Sequence, residues 1–324
     1  MHLLIDNYGV KIEVEDEKFK ITLEETTRYA SALKIKSINL LSPCSITSPA
    51  LILAAQHQIP VLIYNSIGKV EAWVWSAYYG NISEIRKAQV YFSDSMEGLD
   101  WIKNLLEMKV TNQLQNINYL ADRVTKHKEQ LIENTELIKK ELNKLDVIGN
   151  FAQLRGWEGN LSKTYWSSIS LALEKHVEMD GREQRQPDDP LNASLNYAYG
   201  ILYGIVESSL LMTGLDPYMG IMHINRYQRP ALAFDHIEPF RPWIDKMIME
   251  LFIKNVITPE CYNETKTDGI LLTKYGRRLI IDNFFALMDE RAYLGGKRIK
   301  KVDHIHYQSG QLVTLLKKFN KEKK

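Results

Sequence analysis

Over roughly the first eighty residues, apolar and polar positions alternate with a period of two, the signature of half-buried strands. Val10, Ile12 and Val14 alternate with polar residues after Asn7-Tyr8-Gly9, and Phe19, Ile21 and Leu23 do so again after the Glu15-Asp16-Glu17 cluster. This predicts a short antiparallel ribbon. Ile38 to Leu41 and Val61 to Tyr64 are further short apolar runs, and Val70, Ala72 and Val74 after Gly68 predict another strand. Between them one helix is expected, with Ser48 as N-cap, Pro49 at the first helical position, Ala50 to Ala55 as its body and Pro60 as its stop.

From about Ser95 the period lengthens to that of a helix, so a boundary is expected near residues 80–95, around Gly80-Asn81 and Ser93-Asp94-Ser95. The chain divides into a β-rich domain, residues 1–85, and a nearly all-helical domain, residues 86–324, giving an α+β fold class. Trp101, Leu105, Val110, Leu114, Ile117 and Leu120 suit one helix, and Val124, Leu131, Leu137, Ile138, Leu142 and Leu145 suit another before Gly149. A further helix spans roughly Phe151 to Leu173. Asp188-Asp189-Pro190 opens the next, which runs through Leu195, Leu202, Ile205 and Leu210 to a stop at Gly214-Leu215-Asp216-Pro217.

Composition narrows the class. With 324 residues, 45% apolar and 25% charged, the chain is neither a disordered polymer nor a disulfide scaffold. Asp6 interrupts the opening apolar run and no bilayer-length apolar stretch occurs, so neither a signal peptide nor a membrane span is expected. Cys44 and Cys261 lie far apart without metal-ligand spacing, which suits reduced thiols in a cytoplasmic protein. The net charge of +1 argues against a uniformly basic nucleic-acid binder. From Arg291 onward, however, ten Lys and Arg residues face only Asp303 and Glu322. That tail reads either as a solvated, partly frayed terminus or as a surface for phosphates.

A few polar residues break the pattern. Phe151, Leu154, Leu161 and Tyr165 form a helical stripe whose missing member is Glu158. A carboxylate there is a candidate site residue, or else a groove-edge acid with its head in water or in an ion pair. His223 follows the apolar Gly220-Ile221-Met222, and Asp235-His236-Ile237-Glu238 follows Ala231-Leu232-Ala233-Phe234. On one helix, acids three apart share a face, so Asp235 and Glu238 are expected to project together and to welcome a hard divalent cation. The plainer alternative is a solvated face and an ordinary histidine. Pro239 and Pro242 bracket Phe240-Arg241, which is expected to end the helix and hold a cation one turn from the acids.

Four segments together resemble the CRISPR-associated endonuclease and integrase family Cas1. They are Trp157-Glu158-Gly159 with Tyr165-Trp166; Asp189 to Tyr197, reading DPLNASLNY; Gly214 to Gly220, reading GLDPYMG, ending in His223; and Asp235 to Pro242, reading DHIEPFRP. The β-rich start, with Ser48-Pro49-Ala50 and Ile59-Pro60-Val61, is similar to the family's N-terminal domain. The resemblance implies a homodimer, with the β domain serving dimerisation, and a Cas2 dimer joining two such dimers on double-stranded prespacer DNA and CRISPR repeat DNA. It implies Glu158, His223 and Glu238 as metal ligands, Asp235 as a further acid beside them, and Arg241 as a basic position near the DNA backbone. His236 stands where the family usually has an apolar residue, and Asn160-Leu161-Ser162-Lys163 replaces a stretch of small residues followed by Arg. Lys163, Lys297 and Arg298 are counted with Arg241 as DNA-binding candidates.

Two carboxylates and an imidazole favour Mg²⁺ or Mn²⁺ over structural zinc. The expected activity is metal-dependent transesterification that inserts prespacer DNA into a CRISPR array. A metal-dependent nuclease on branched or single-stranded DNA is the nearest rival, and a non-catalytic DNA-binding scaffold is the reading from another class.

Overall fold

The structure, a computed structural model, describes residues 2–65, 68, 70–76, 82–183, 186–223, 229–265 and 269–322. The N-terminal part holds β1 (His2–Ile5), β2 (Lys11–Glu15), β3 (Lys18–Leu23), β4 (Thr26–Ser31), β5 (Ser37–Leu40), β6 (Ser45–Ile46), α1 (Ser48–Gln56), β7 (Val61–Tyr64) and β8 (Val70–Val74). They form two four-stranded sheets, in the orders β1-β5-β7-β8 and β4-β3-β2-β6. The expected ribbon is β2–β3, with Ile12 opposite Ile21 and Val14 opposite Phe19. Ile12 and Phe19 are buried with Ile38, Ala50, Ile59 and Val61 in a core of their own. Strand β4, reading TTRYAS and mostly exposed, has no apolar alternation and could not be read as a strand.

Helix α1 departs from expectation at both ends. Its N-cap is Thr47, with Ser48 and Pro49 in the first turn. Its stop is not Pro60, because Gln58 turns left-handed (φ 53°) and the Ile59 N–H closes on the Ala54 carbonyl at 2.8 Å. A six-to-one bond of this kind satisfies the carbonyls that the helix end would otherwise orphan.

The helices that follow are α2 (Ile82–Ser93), α3 (Met96–Ala121), α4 (Lys128–Leu142), α5 (Phe151–Leu173), α6 (Pro190–Met212), α7 (Ala231–His236) and α8 (Arg241–Ile253). Polar caps begin three of them. Ser95 accepts from the Gly98 N–H at 3.0 Å, Asn150 from Gln153 at 2.9 Å and Asp189 from Asn192 at 2.7 Å, the last with Pro190 in the first turn.

Beyond α8 the expectation of near-continuous helix needs correction. There are two hairpins, β9 (Tyr262–Thr265) with β10 (Gly269–Leu272), and β11 (Arg291–Leu294) with β12 (Lys297–Lys300). Helix α9 (Lys274–Asp289) lies between them and α10 (Lys301–Glu322) follows. Gly295 and Gly296, both at positive φ, supply the tight turn of the second hairpin. Through Glu322 the basic segment is therefore built of a hairpin and a helix, and α10 buries Val302, Ile305, Leu312, Leu316 and Phe319 in the helical core. Lys323 and Lys324, like Gly80-Asn81 at the expected boundary, lie outside the described residues.

Contacts join the β-rich part to the helices. Lys36 pairs with Asp303 at 2.8 Å and Asp6 with Arg278. A Cβ at Gly204 of α6 would meet Val70 at 2.5 Å and the Tyr64 hydroxyl at 2.6 Å, so glycine is what lets the sheet edge close on that helix. Among the described residues no helix is long and apolar enough to cross a membrane.

Candidate metal centre

Helix α5 presents Glu158 on the stripe of Leu154, Leu161 and Tyr165, all buried, and aims it at α3. What meets it there is a lysine. The Lys109 ammonium, its side chain 8% exposed, stands 2.5 Å from Glu158 Oε1 and 2.6 Å from Glu238 Oε2. Arg241 Nε lies 3.0 Å from the other Glu238 oxygen. The Arg241 guanidinium donates to the Tyr203 hydroxyl and faces the rings of Tyr199 and Tyr203 at 4.8 and 5.5 Å.

The local fold explains how Glu238 reaches this point. Helix α7 ends at His236, and Glu238–Phe240 forms a single 3-10 turn before α8. Pro239 and Pro242 sit in the first turns of the 3-10 segment and of α8, so these prolines start helices rather than ending one. Helix α3 grips the turn through its polar stripe. Asn112 donates to the Pro239 carbonyl at 3.1 Å and Asn116 to the Pro242 carbonyl at 2.8 Å. This corrects the expectation of a shared helical face: Asp235 and Glu238 do not sit together awaiting one cation, because the change of helix type sends them to different partners.

Asp235 serves His223. Its Oδ1 is 2.6 Å from His223 Nδ1, and its two oxygens accept backbone N–H groups from Ile221 (2.6 Å), Met222 (3.2 Å) and His223 (3.1 Å). Gly220 permits the bend, since a Cβ there would lie 2.5 Å from both Ala231 Cβ and the His223 carbonyl. Arg155 holds the same loop by donating to the Met222 carbonyl at 3.0 Å. With Nδ1 committed to a carboxylate, Nε2 is the ring nitrogen left for other chemistry. Burial alone would lower the His223 pKa, but the bond to Asp235, then Asp235, Glu238 and Glu158 as charges, raise it above the ordinary value.

The electrostatics are those of an acid cluster already neutralised. Burial would raise the Glu238 pKa, yet Arg241 and Lys109, with His223, hold it down at about 2. Burial would lower that of Lys109, but Glu238 and Glu158 keep it above the usual lysine value. The remaining sequence candidates lie elsewhere. His236 is fully buried, stacked on Trp101 and 3.0 Å from Ser309 Oγ, and burial drives its pKa down to about 4. Lys163, Lys297 and Arg298 are exposed, with Lys297 over the Tyr307 ring at 4.0 Å.

Two carboxylates from separate elements converging on one cation, plus an imidazole fixed through Nδ1, make a donor set that suits a hard divalent ion. Among the described residues, no three His, Cys, Asp or Glu side chains stand close enough to hold a metal as they lie, and the position between Glu158 and Glu238 is taken by the ammonium. Lys109 was missed in the sequence although its signal was the one that exposed Glu158. It follows Leu105 by one helical turn and Ile102 by two, a charge on an apolar stripe.

Comparison with known proteins agrees with this architecture. The profile of the family described as CRISPR associated protein Cas1 matches residues 3–285. A protein named CRISPR-associated protein Cas1 3 from Methanobrevibacter ruminantium is 29% identical over 78% of each chain. CRISPR-associated endonuclease Cas1 1 from Archaeoglobus fulgidus is 25% identical over 98% of this chain and 96% of its own. Among solved structures, a CAS1 protein from Thermotoga maritima superposes with a TM-score of 0.80 at 19% identity, covering 98% and 97% of the two chains. A casposase bound to integration product gives 0.79 at 21% identity, covering 97% and 91%. A chain of a Cas6-RT-Cas1–Cas2 complex gives 0.80 at 21% identity over 98% of this chain, which spans 35% of that longer one.

Proposed function

The chain belongs to the CRISPR associated protein Cas1 family, and from that premise we propose that it is a metal-dependent DNA endonuclease and integrase that inserts prespacer DNA into a CRISPR array. The observation that carries this reading is the convergence of Glu158 and Glu238 on one buried cation position. The relative from Archaeoglobus fulgidus bears the name endonuclease, and the casposase is bound to an integration product, both in keeping with strand breakage and joining.

Glu158, Glu238 and Nε2 of His223 would hold Mg²⁺ or Mn²⁺. When bound, that ion supplies Lewis-acid stabilisation of the reacting phosphate. Asp235 keeps the proton on His223 Nδ1 and fixes the ring so that Nε2 offers its lone pair. Arg241, beside Glu238, stabilises charge building on the phosphate oxygens. In strand transfer the 3′-hydroxyl oxygen of the prespacer bonds to phosphorus and gives up its proton to solvent, while the phosphodiester bond to the departing 3′-oxygen of the repeat strand breaks and that oxygen takes up a proton to become the new 3′-hydroxyl. Lys163, Lys297 and Arg298 follow the DNA backbone from the exposed surface. The working assembly is a homodimer, paired through the β-rich residues 1–85 and bridged by Cas2 on double-stranded prespacer and repeat DNA.

The test is strand transfer of a labelled prespacer into a supercoiled plasmid carrying a repeat, with Cas2 and Mn²⁺ present. Wild type should give integrated product, and Glu158→Ala and His223→Ala should give none. Activity retained by both variants would overturn the metal centre, and absence of any product from wild type would favour a scaffold. Cleavage without joining would favour the nuclease.

A further inference from the structure

The two acids facing the cation position are electrically closed by the protein itself. Glu158 and Glu238 stand against Lys109 and Arg241, while Asp235 is paired with His223. The ammonium donates a short, charge-assisted hydrogen bond to Glu158 and stands in ion-pair contact with Glu238. A divalent ion added to this arrangement leaves positive charge in excess at a buried site, which is costly until a cation moves away or an anion enters. Neither resident cation is free to go. Lys109 lies in the middle of α3, flanked by buried Leu105, Leu106 and Val110, and Arg241 is pinned by Glu238, Tyr199 and Tyr203. A DNA phosphate is the anion that would restore the balance.

Resting on the metal-centre reading above, we propose that Lys109 is an internal counter-cation that stands in for the metal between Glu158 and Glu238, keeps metal affinity low in the DNA-free protein, and so couples metal uptake to the arrival of a DNA phosphate. It is a positioning residue that acts on the two ligand carboxylates. Without it, two carboxylates at one buried site repel each other and move apart. With it, they stay in register while no metal is bound.

The experiment is a Mn²⁺ titration of the full chain, read as the paramagnetic resonance signal of free ion. It is run without DNA and then with a short duplex ending in 3′-dideoxynucleotides, which cannot react. Lys109→Met should bind Mn²⁺ about tenfold or more tightly than wild type without DNA, within the usual range for coupled sites. The duplex should close that gap, Lys109→Arg should behave as wild type, and Lys109→Met with Glu158→Gln should lose the gain. Affinity of Lys109→Met equal to or weaker than wild type would overturn the counter-cation role. Absence of binding by every form, with and without duplex, would instead overturn the metal centre itself.

A metal-free readout separates the charge argument from the ion. Lys109→Met should melt below wild type, and adding Glu158→Gln should recover part of the loss because one uncompensated charge is removed. No recovery would sink the proposal. Lys109→Gln carries the same titration if the methionine variant is too unstable to purify.

Discussion

Glu238 and Asp245 are both buried acids, close in sequence, and they are neutralised in opposite ways. Glu238 is held by two cations, Lys109 and Arg241, which keep its carboxyl near 2 against the pull of burial. Asp245 instead accepts from two hydroxyls, Tyr165 at 2.9 Å and Tyr199, and burial outweighs them to push its pKa up to about 6. Tyr165 is fixed in turn by Asn116 of α3, and Arg182 packs on Tyr199. An acid neutralised by a cation can exchange that cation for another. An acid held by neutral hydroxyls belongs to a permanent joint, here between α5, α6 and α8. On the proposed reading, the difference separates a metal-ligand acid from a structural one more clearly than burial does, since both are buried.

That comparison can be broken most directly at Glu238. Glu238→Gln should lower strand transfer about 1,000-fold or more, the scale of losing an ion's stabilisation of a transition state, while circular dichroism stays native. Retained activity would erase the distinction.

The next effect is on stability against pH. Folded Asp245 keeps its proton up to about pH 6, whereas unfolded Asp titrates near 3.8, so between those values the folded state binds more protons and stability declines as pH rises. Glu238 runs the other way: its contribution is present above about pH 4.5 and fades as pH falls toward 2. Asp245→Asn should remove the first decline, worth about 3 kcal/mol across the window, and leave neutral-pH strand transfer near wild type. Urea titrations at a series of pH values measure it, and an unchanged profile would contradict the hydroxyl-held acid.

Asp235→Asn should cost about 10- to 100-fold in activity, because the amide leaves the His223 ring unfixed without removing a ligand. A steady-state rate at saturating Mn²⁺ checks this, and a loss as large as that of Glu238→Gln would make Asp235 a ligand instead. Smallest is Tyr165→Phe, expected to lower unfolding free energy by about 1–2 kcal/mol with little change in rate, since Asp245 keeps Tyr199. A loss of activity beyond that of Asp235→Asn would place the hydroxyl cluster in the machinery.

Much of the scaffold could be read along the chain. The β2–β3 ribbon, the stripe of α5, and α6 with Asp189 and Pro190 at its start all follow from local periodicity and capping. The failures have local causes. Strand β4 has no apolar face, the stop of α1 rests on a left-handed Gln58, and the second hairpin lies in a segment whose charge hid its Gly295-Gly296 turn. At the candidate site, Glu158 announced itself by interrupting a stripe, and the resemblance joined it to His223 and Glu238. Lys109 interrupted its own stripe in the same way, but the acids it pairs with, Glu158 and Glu238, stand far from it along the chain.

The sequence by itself therefore determined where the β2–β3 ribbon and the long helices α3, α5 and α6 run, which acid interrupts a core-facing stripe, and the family. Only the tertiary structure decided who neutralises whom: Lys109 of α3 between acids of α5 and of the turn before α8, Asp235 turned to His223, and Asp245 to two tyrosines. The physical reason is range. Periodicity reports which face of one element is buried, whereas ion pairs and hydrogen bonds are settled within about 3 Å, between side chains that chain order leaves far apart.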